Sequence, residues 1–170
     1  MGHAVFLRLA RCDGDIDFVS ALALGPLVEP FLAPGRGDPE YLRELVSHSV
    51  GGQPYGMHVV ESAGGERLGG LALRLANRRS SICEISTVMV RPDVRRGGVA
   101  LQAVRLACEL ALVEQGLHRV QAEVYGDNVA GQHLFGRAGF TREGVRRSAY
   151  RRGGGQWLDG VLYGLLSEEF

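Results

Sequence analysis

The sequence predicts an α/β (α+β) fold: a mixed, mostly antiparallel sheet of seven strands flanked by about four helices. Three observations predict it. Between residues 55 and 90, β-rich runs follow one another across short Gly, Asn and Ser turns, as in an antiparallel meander. A strongly apolar helical stretch from Val99 then leads to a further strand over 120–124, a strand–helix–strand unit that brings a parallel neighbour to the sheet. The C-terminal runs 145–150 and 156–165 flank Gly153-Gly154-Gly155 and read as a hairpin.

Each element has a local reason. Residues 5–9 alternate weakly, which suits a strand. Asp13 to Asp17 supply capping groups ahead of an apolar helical stretch over 18–24, and Pro26, Pro30, Pro34 and Gly35 punctuate the segment after it. Asp38 as N-cap and Pro39 at the first helical position open a short helix through His48, closed by Gly51-Gly52. Strands over 55–61, 67–75 and 82–90 are separated by Ala63-Gly64-Gly65 and by residues 77–80. From Val99 to Val113, Gln102, Arg105 and Glu109 share one stripe and the rest of the circumference is apolar, so this helix is buried on most sides. Gly116 followed by Leu117 has the form of a C-terminal cap. Asp127-Asn128 cap a second helix through Arg137, which Gly139 ends. On the last strand Trp157, Asp159, Val161 and Tyr163 face one way.

The chain has 170 residues, 45% hydrophobic and 22% charged, which fits one globular domain, residues 1–170, with no internal repeat. A formal net charge of zero gives no general attraction to nucleic acid or to an anionic membrane. The clusters Arg95/Arg96, Arg146/Arg147 and Arg151/Arg152 fit solvated faces or hairpin tips as well as anion contacts. Cys12, Cys83 and Cys108 are odd in number and lack CxxC spacing, which argues against a disulfide framework or a zinc site. His3, His48, His58 and His118 form no metal-ligand pair, so no metal is expected. No signal peptide is expected, and no apolar run comes near the ~20 residues that cross a membrane. Phe6 stands where a myristoylation signal needs Ser or Thr. A cytoplasmic location, as monomer or homodimer, is the expectation.

The chemistry concentrates between Val88 and Ala100. A strand feeds a short loop with Gly97 and Gly98, which opens directly onto a helix. Glycine admits positive φ and close backbone approach, and the helix start presents unpaired N–H groups at the positive end of its dipole. That combination suits phosphate, and Arg95 and Arg96 add charge at the rim. It is neither a P-loop, which ends in Gly-Lys-Ser/Thr, nor a Rossmann GxGxxG turn. A bare strand-to-helix turn is the alternative reading.

Arg95-x-x-Gly98-x-Ala100 resembles the (Gln/Arg)-x-x-Gly-x-(Gly/Ala) motif of the GNAT superfamily of N-acetyltransferases. Downstream, Asn128 through Ala138-Gly139-Phe140 is similar to that superfamily's Asn…Gly-Phe segment. Arg142-Glu143-Gly144 followed by Trp157-x-Asp159-x-x-x-Tyr163 resembles the branch that acetylates the N-termini of ribosomal proteins and related substrates. The likeness runs from about Leu7 to Leu166 and is most specific from Ile82 to Tyr163. It implies a sheet splayed open between strands 82–90 and 120–124, with acetyl-CoA (coenzyme A) in the gap. The pyrophosphate would lie on the N–H groups of Arg96, Gly97, Gly98, Val99 and Ala100, and the pantetheine along Val88 and Val90 like an added strand. Asn128 would hydrogen-bond the pantetheine, where otherwise it is only a helix cap.

The implied reaction is direct attack of a primary amine, from a small molecule or a peptide, on the thioester in a ternary complex. It needs a base, an oxyanion donor and a proton for the leaving thiolate. The N–H near Val88 is the oxyanion donor, and Glu84, acting through water, is the candidate base; its plainer reading is a surface carboxylate. For the acid, many family members have Tyr where this chain has Phe135 and related transferases have Ser where it has Gly131, so neither position can donate. His133 is expected to point away, leaving Tyr125 as the nearby hydroxyl, with water the alternative. Asp159 and Trp157 are candidates for the acceptor pocket, Trp157 and Tyr163 being core residues on the plainer reading. A non-catalytic acyl-CoA-sensing module is the competing function, and a nucleic-acid module is disfavoured by the neutral charge.

Overall fold

The structure is a computed structural model and describes residues 4–26, 28–31, 38–47 and 54–170. His3, Pro34, Gly35, His48, Gly51 and Gly52, named above, lie outside the described residues. The chain runs β1 (Val5–Leu9), α1 (Asp13–Ala23), α2 (Pro39–Ser47), β2 (Gly56–Ser62), β3 (Arg67–Asn77), β4 (Ile82–Val90), α3 (Val99–Cys108), β5 (Arg119–Tyr125), α4 (Val129–Ala138), β6 (Thr141–Arg151) and β7 (Trp157–Leu166). Among the described residues the seven strands form one sheet in the order β1-β2-β3-β4-β5-β7-β6, antiparallel everywhere except between β4 and β5.

Two local readings are corrected. α1 begins at Asp13, not Phe18, because its acidic residues sit inside the first turn rather than capping it. Asp15 is buried there, ion-paired to Arg8 at 2.6 Å and to Arg67 at 3.0 Å, and it accepts the Arg11 N–H. The helix that opens at Val99 is α-helical only to Cys108 and continues as a π turn, Glu109–Glu114, before Gly116 (φ 61°) ends it.

Strand alternation divides the core in two. Leu71, Ile85, Val120 and Leu165 pack beneath α3 and α4 with Val104 and Phe135. Val59, Ala72 and Met89 pack on the other face against Ile16 and Val19 of α1 and Leu42 of α2. Each buried Val, Leu, Ile, Phe or Met side chain here contributes roughly 1.5–3 kcal/mol on burial. Ile85 and Met89 have the same parity yet face opposite sides. The cause is a bulge: Gly70 pairs with Met89 and Ala72 with Ser86, so β4 carries one residue more than β3, and Thr87 takes a φ of 54°.

The bulge bends β4 away from β5. The two strands pair only at Ile82↔Arg119, Cys83↔Val120 and Glu84↔Gln121. Beyond Glu84 they part, which is the splayed sheet that the resemblance implies.

Candidate active site

The parting of β4 and β5 leaves a cleft of about 820 Å³. Ser86 to Val90 form one wall and Glu123 to Tyr125 the other, with Val88 and Val90 both on the lining. Since β5 has left, no strand among the described residues pairs with the edge of β4 on that side. Thr87 Oγ1 is buried on this wall without a hydrogen-bond partner.

The loop from β4 to α3 closes one end. After a short 3-10 turn, Pro92–Val94, Arg95 donates Nε–H to the Val90 carbonyl at 3.4 Å. Arg96 has a φ of 65° and Gly98, the N-cap of α3, a φ of 81°. The first backbone bond of the helix is Gln102 N–H to the Gly98 carbonyl at 3.0 Å, so the N–H groups of Val99, Ala100 and Leu101 precede the ladder. Arg95, Arg96, Gly98, Val99 and Ala100 all line the cleft. Gly97 does not; a Cβ there would come within 3.3 Å of the Val94 carbonyl, so its task is the turn itself.

The N-terminus of α4 borders the same cleft. Asn128 lines the cleft and also caps the helix, its Oδ1 accepting the Gly131 N–H at 2.9 Å. Phe135 lines the cleft too, packed edge-on against Phe140 at 5.1 Å and stacked on Tyr163 at 6.0 Å. His133, expected to point away, instead lies on the lining with Ala130, Leu134 and Arg137. These positions share the helical stripe that faces the gap.

Glu84 and Glu123 lie on the sheet face opposite α3 and α4, alternating with buried Cys83, Ile85, Ala122 and Val124. Both line the cleft. Glu84 is ion-paired with Arg74 at 2.9 Å. Glu123 is held through Oε2 by Arg146 at 2.8 Å, while Oε1 is buried against Gly160, where a Cβ would clash with it. The Tyr125 and Tyr150 rings pack tilted at 50°, centroids 4.6 Å apart, and both line the cleft. Burial, and then the neighbouring Glu123 carboxylate, push the Tyr150 hydroxyl up to about 12, so it stays protonated at neutral pH.

Sequence reasoning missed Glu123 and Tyr150. The alternation of 120–124 could have found Glu123, which sits opposite its apolar neighbours. Tyr150 had no local signal: it reaches the cleft through a register shift in β6 between Arg146 and Tyr150, where Ser148 has a φ of 48°.

Asp159 and Trp157 do not line the cleft. They share the strand face of Val161 and Tyr163, which is the α4 side and not the side of Glu84 and Glu123. The Asp159 carboxylate accepts the Ser148 N–H at 2.8 Å, and its carbonyl accepts the Gly126 N–H at 2.9 Å. It holds the β5 end against the β6–β7 hairpin. Trp157 is 57% exposed. Among the described residues no group of three or more His, Cys, Asp or Glu could hold a metal ion, and no helix is long and apolar enough to cross a membrane.

Comparison with known proteins agrees with this geometry. The sequence pattern of the Acetyltransferase (GNAT) family matches residues 27–140. Spermidine N-acetyltransferase from Vibrio cholerae, solved in complex with CoA and spermine, superposes with a TM-score of 0.82 at 21% identity, covering 97% of this chain and 96% of that one. An acetyltransferase (GNAT family) from Bacillus anthracis gives 0.82 at 20% identity, covering 99% and 98%. A chimera of the Vibrio cholerae spermidine enzyme gives 0.82 at 21%, covering 96% of each chain. These likenesses establish the fold.

Proposed function

Because the chain belongs to the acetyltransferase (GNAT) family, whose cofactor is acetyl-CoA, we propose that it acetylates a primary amine by direct attack in a ternary complex. The observation that carries this reading is the loop at Gly98, with its positive φ, opening onto the cleft where β4 and β5 part.

The residues present fit the cofactor. Arg95, Arg96 and the N–H groups at the start of α3 would hold the pyrophosphate. The open edge of β4 at Val88 and Val90 would pair with the pantetheine, and the unpartnered Thr87 Oγ1 on that wall suits a polar chain rather than an alkyl one. Asn128 keeps the end of α4 in place beside them. Acetyl-CoA supplies the acetyl group already activated as a thioester.

The remaining tasks fall to the opposite sheet face. Glu84, through water, and Glu123 take up the amine and accept its proton. The backbone N–H near Val88 polarises the acetyl carbonyl, and Tyr125, packed against Tyr150, is the proton donor in place of Phe135. Placement in the branch acting on ribosomal-protein N-termini rests on the segments 142–144 and 157–163 alone. The acceptor panel therefore includes peptide α-amines, amino sugars and spermidine.

The test is thermal denaturation with CoA, followed by thiol release from acetyl-CoA across that panel. Binding only the folded state at ~100 times its dissociation constant adds ~2.7 kcal/mol of stability. No shift at millimolar CoA sinks the proposal. A shift with no thiol release favours the sensing module, which the hydroxyl-free Phe135 and Gly131 motivate.

A further inference from the structure

The side chain of Arg152, just past the end of β6, is turned into the molecule. Its guanidinium carbon lies 5.6 Å from the centre of the Phe31 ring and 5.7 Å from that of Tyr125. Nη2 donates to the Pro30 carbonyl and Nη1 pairs with Asp127 at 3.2 Å. Val28, Phe31 and Tyr125 line the cleft, and Asp127 directly precedes the capping residue Asn128. One side chain thus joins the hairpin, the end of β5 and a turn that precedes it by 122 residues.

We propose that Arg152 is a positioning residue that latches the turn Glu29–Phe31 across the cleft and so sets the size of amine the site admits. The proposal rests on the amine-acetylation reading above. The inner end of the turn is anchored by Val28, buried against α1. Its outer end carries Phe31, which is 38% exposed and whose N–H donates to the Val28 carbonyl at 2.9 Å. The hydrogen bond from Arg152 to the adjacent carbonyl and the cation over the ring tie this outer end to the hairpin. An arginine suits the position. Its planar fork can serve a carbonyl and a carboxylate at once while lying over two aromatic rings, which a lysine ammonium cannot.

The experiment compares the parent with Arg152→Ala, Arg152→Lys, Phe31→Ala and the Arg152→Ala/Phe31→Ala pair. The expected result is a rise of about tenfold in acceptor KM for the alanine variants and a shift of preference toward bulkier amines, with acetyl-CoA KM unchanged. Arg152→Lys follows Arg152→Ala, and the double variant is no worse than either single one, since both remove the same latch. Hydrogen exchange of the peptide spanning residues 28–31 accelerates in Arg152→Ala, while that of α4 does not.

An acceptor KM within about twofold of the parent overturns the latch, as does additivity of the two changes. A parent that acetylates no amine on the panel overturns the functional reading instead. Hydrogen exchange then decides the latch by itself: unchanged exchange over 28–31 refutes it.

Discussion

Asn128 and Gly131 fit together with no room for a side chain at position 131. Asn128 Oδ1 accepts the Gly131 N–H at 2.9 Å, and a Cβ on residue 131 would stand 2.8 Å from Asn128 Nδ2 and 2.9 Å from Val124 Cγ1. The glycine found where related transferases have serine is thus required by the way this cap closes.

Gly131→Ser therefore destabilises the protein and adds no activity. Replacing a helical glycine ordinarily gains up to ~1 kcal/mol, whereas loss of an N-cap costs ~1 kcal/mol and crowding adds to that. The sign of the change in melting temperature decides the matter. A more stable Gly131→Ser variant would show that the cap shifts freely.

The phosphate loop separates its two glycines. At Gly98 the nearest atom to an added Cβ is Gln102 Nε2 at 3.8 Å, so the obstacle is the φ of 81° rather than space. Gly98→Val costs roughly 1–3 kcal/mol in backbone strain and abolishes the CoA-dependent thermal shift. Gly97→Ala, behind the lining, keeps most of that shift. Equal CoA binding by Gly98→Val and the parent would move the phosphate site elsewhere.

These loop glycines were legible because their signal is local: a strand, a Gly pair and an apolar helix are consecutive in sequence. The seven strands were legible from alternation and turn residues for the same reason. What escaped depends on strand order. Glu123 meets Arg146, and Tyr125 meets Tyr150, only because β7 inserts between β5 and β6. Trp157 and Asp159 were assigned to the acceptor pocket from their shared parity. Parity says which residues agree, not which of the two sheet faces they choose. Asp15, read as part of a cap, is instead committed to Arg8 and Arg67, partners from β1 and β3.

Stability depends on pH through His58. Burial pulls its imidazole down from 6.5 to about 4, against the smaller raising effect of the Gly56 carbonyl. The unfolded chain takes up this proton as pH falls through 6.5, and the folded chain only near 4. This contribution is therefore complete above pH 6.5 and is lost between 6.5 and 4, about 3 kcal/mol across the window. Asp15 acts lower: Arg8 holds its carboxyl well below the usual range, so its contribution is lost only as pH falls below about 4. Urea unfolding at about pH 7.5 and pH 5 should give a lower midpoint at the acid end. His58→Leu should remove most of that difference; an undiminished difference would assign it to another group.

The proton donor is tested at two positions that face the same cleft. Phe135 is 5% exposed, yet it lines the cleft at the edge of an aromatic cluster with Phe140 and Tyr163. The rescue expected below requires that a para hydroxyl on it reach the gap. Tyr125 already presents a phenol from the far wall. If Tyr125 is the donor, Tyr125→Phe lowers kcat by about tenfold or more and leaves acetyl-CoA KM alone, because a general acid acts on the chemical step and not on cofactor binding. Phe135→Tyr then changes little in the parent, where a donor already serves, but restores part of the rate in the Tyr125→Phe background. That rescue separates loss of a proton from loss of packing, since a ring displaced from its contact with Tyr150 would not be repaired from α4. Parent-like rates for both single variants at every pH would leave the proton to water and remove both side chains from the reaction.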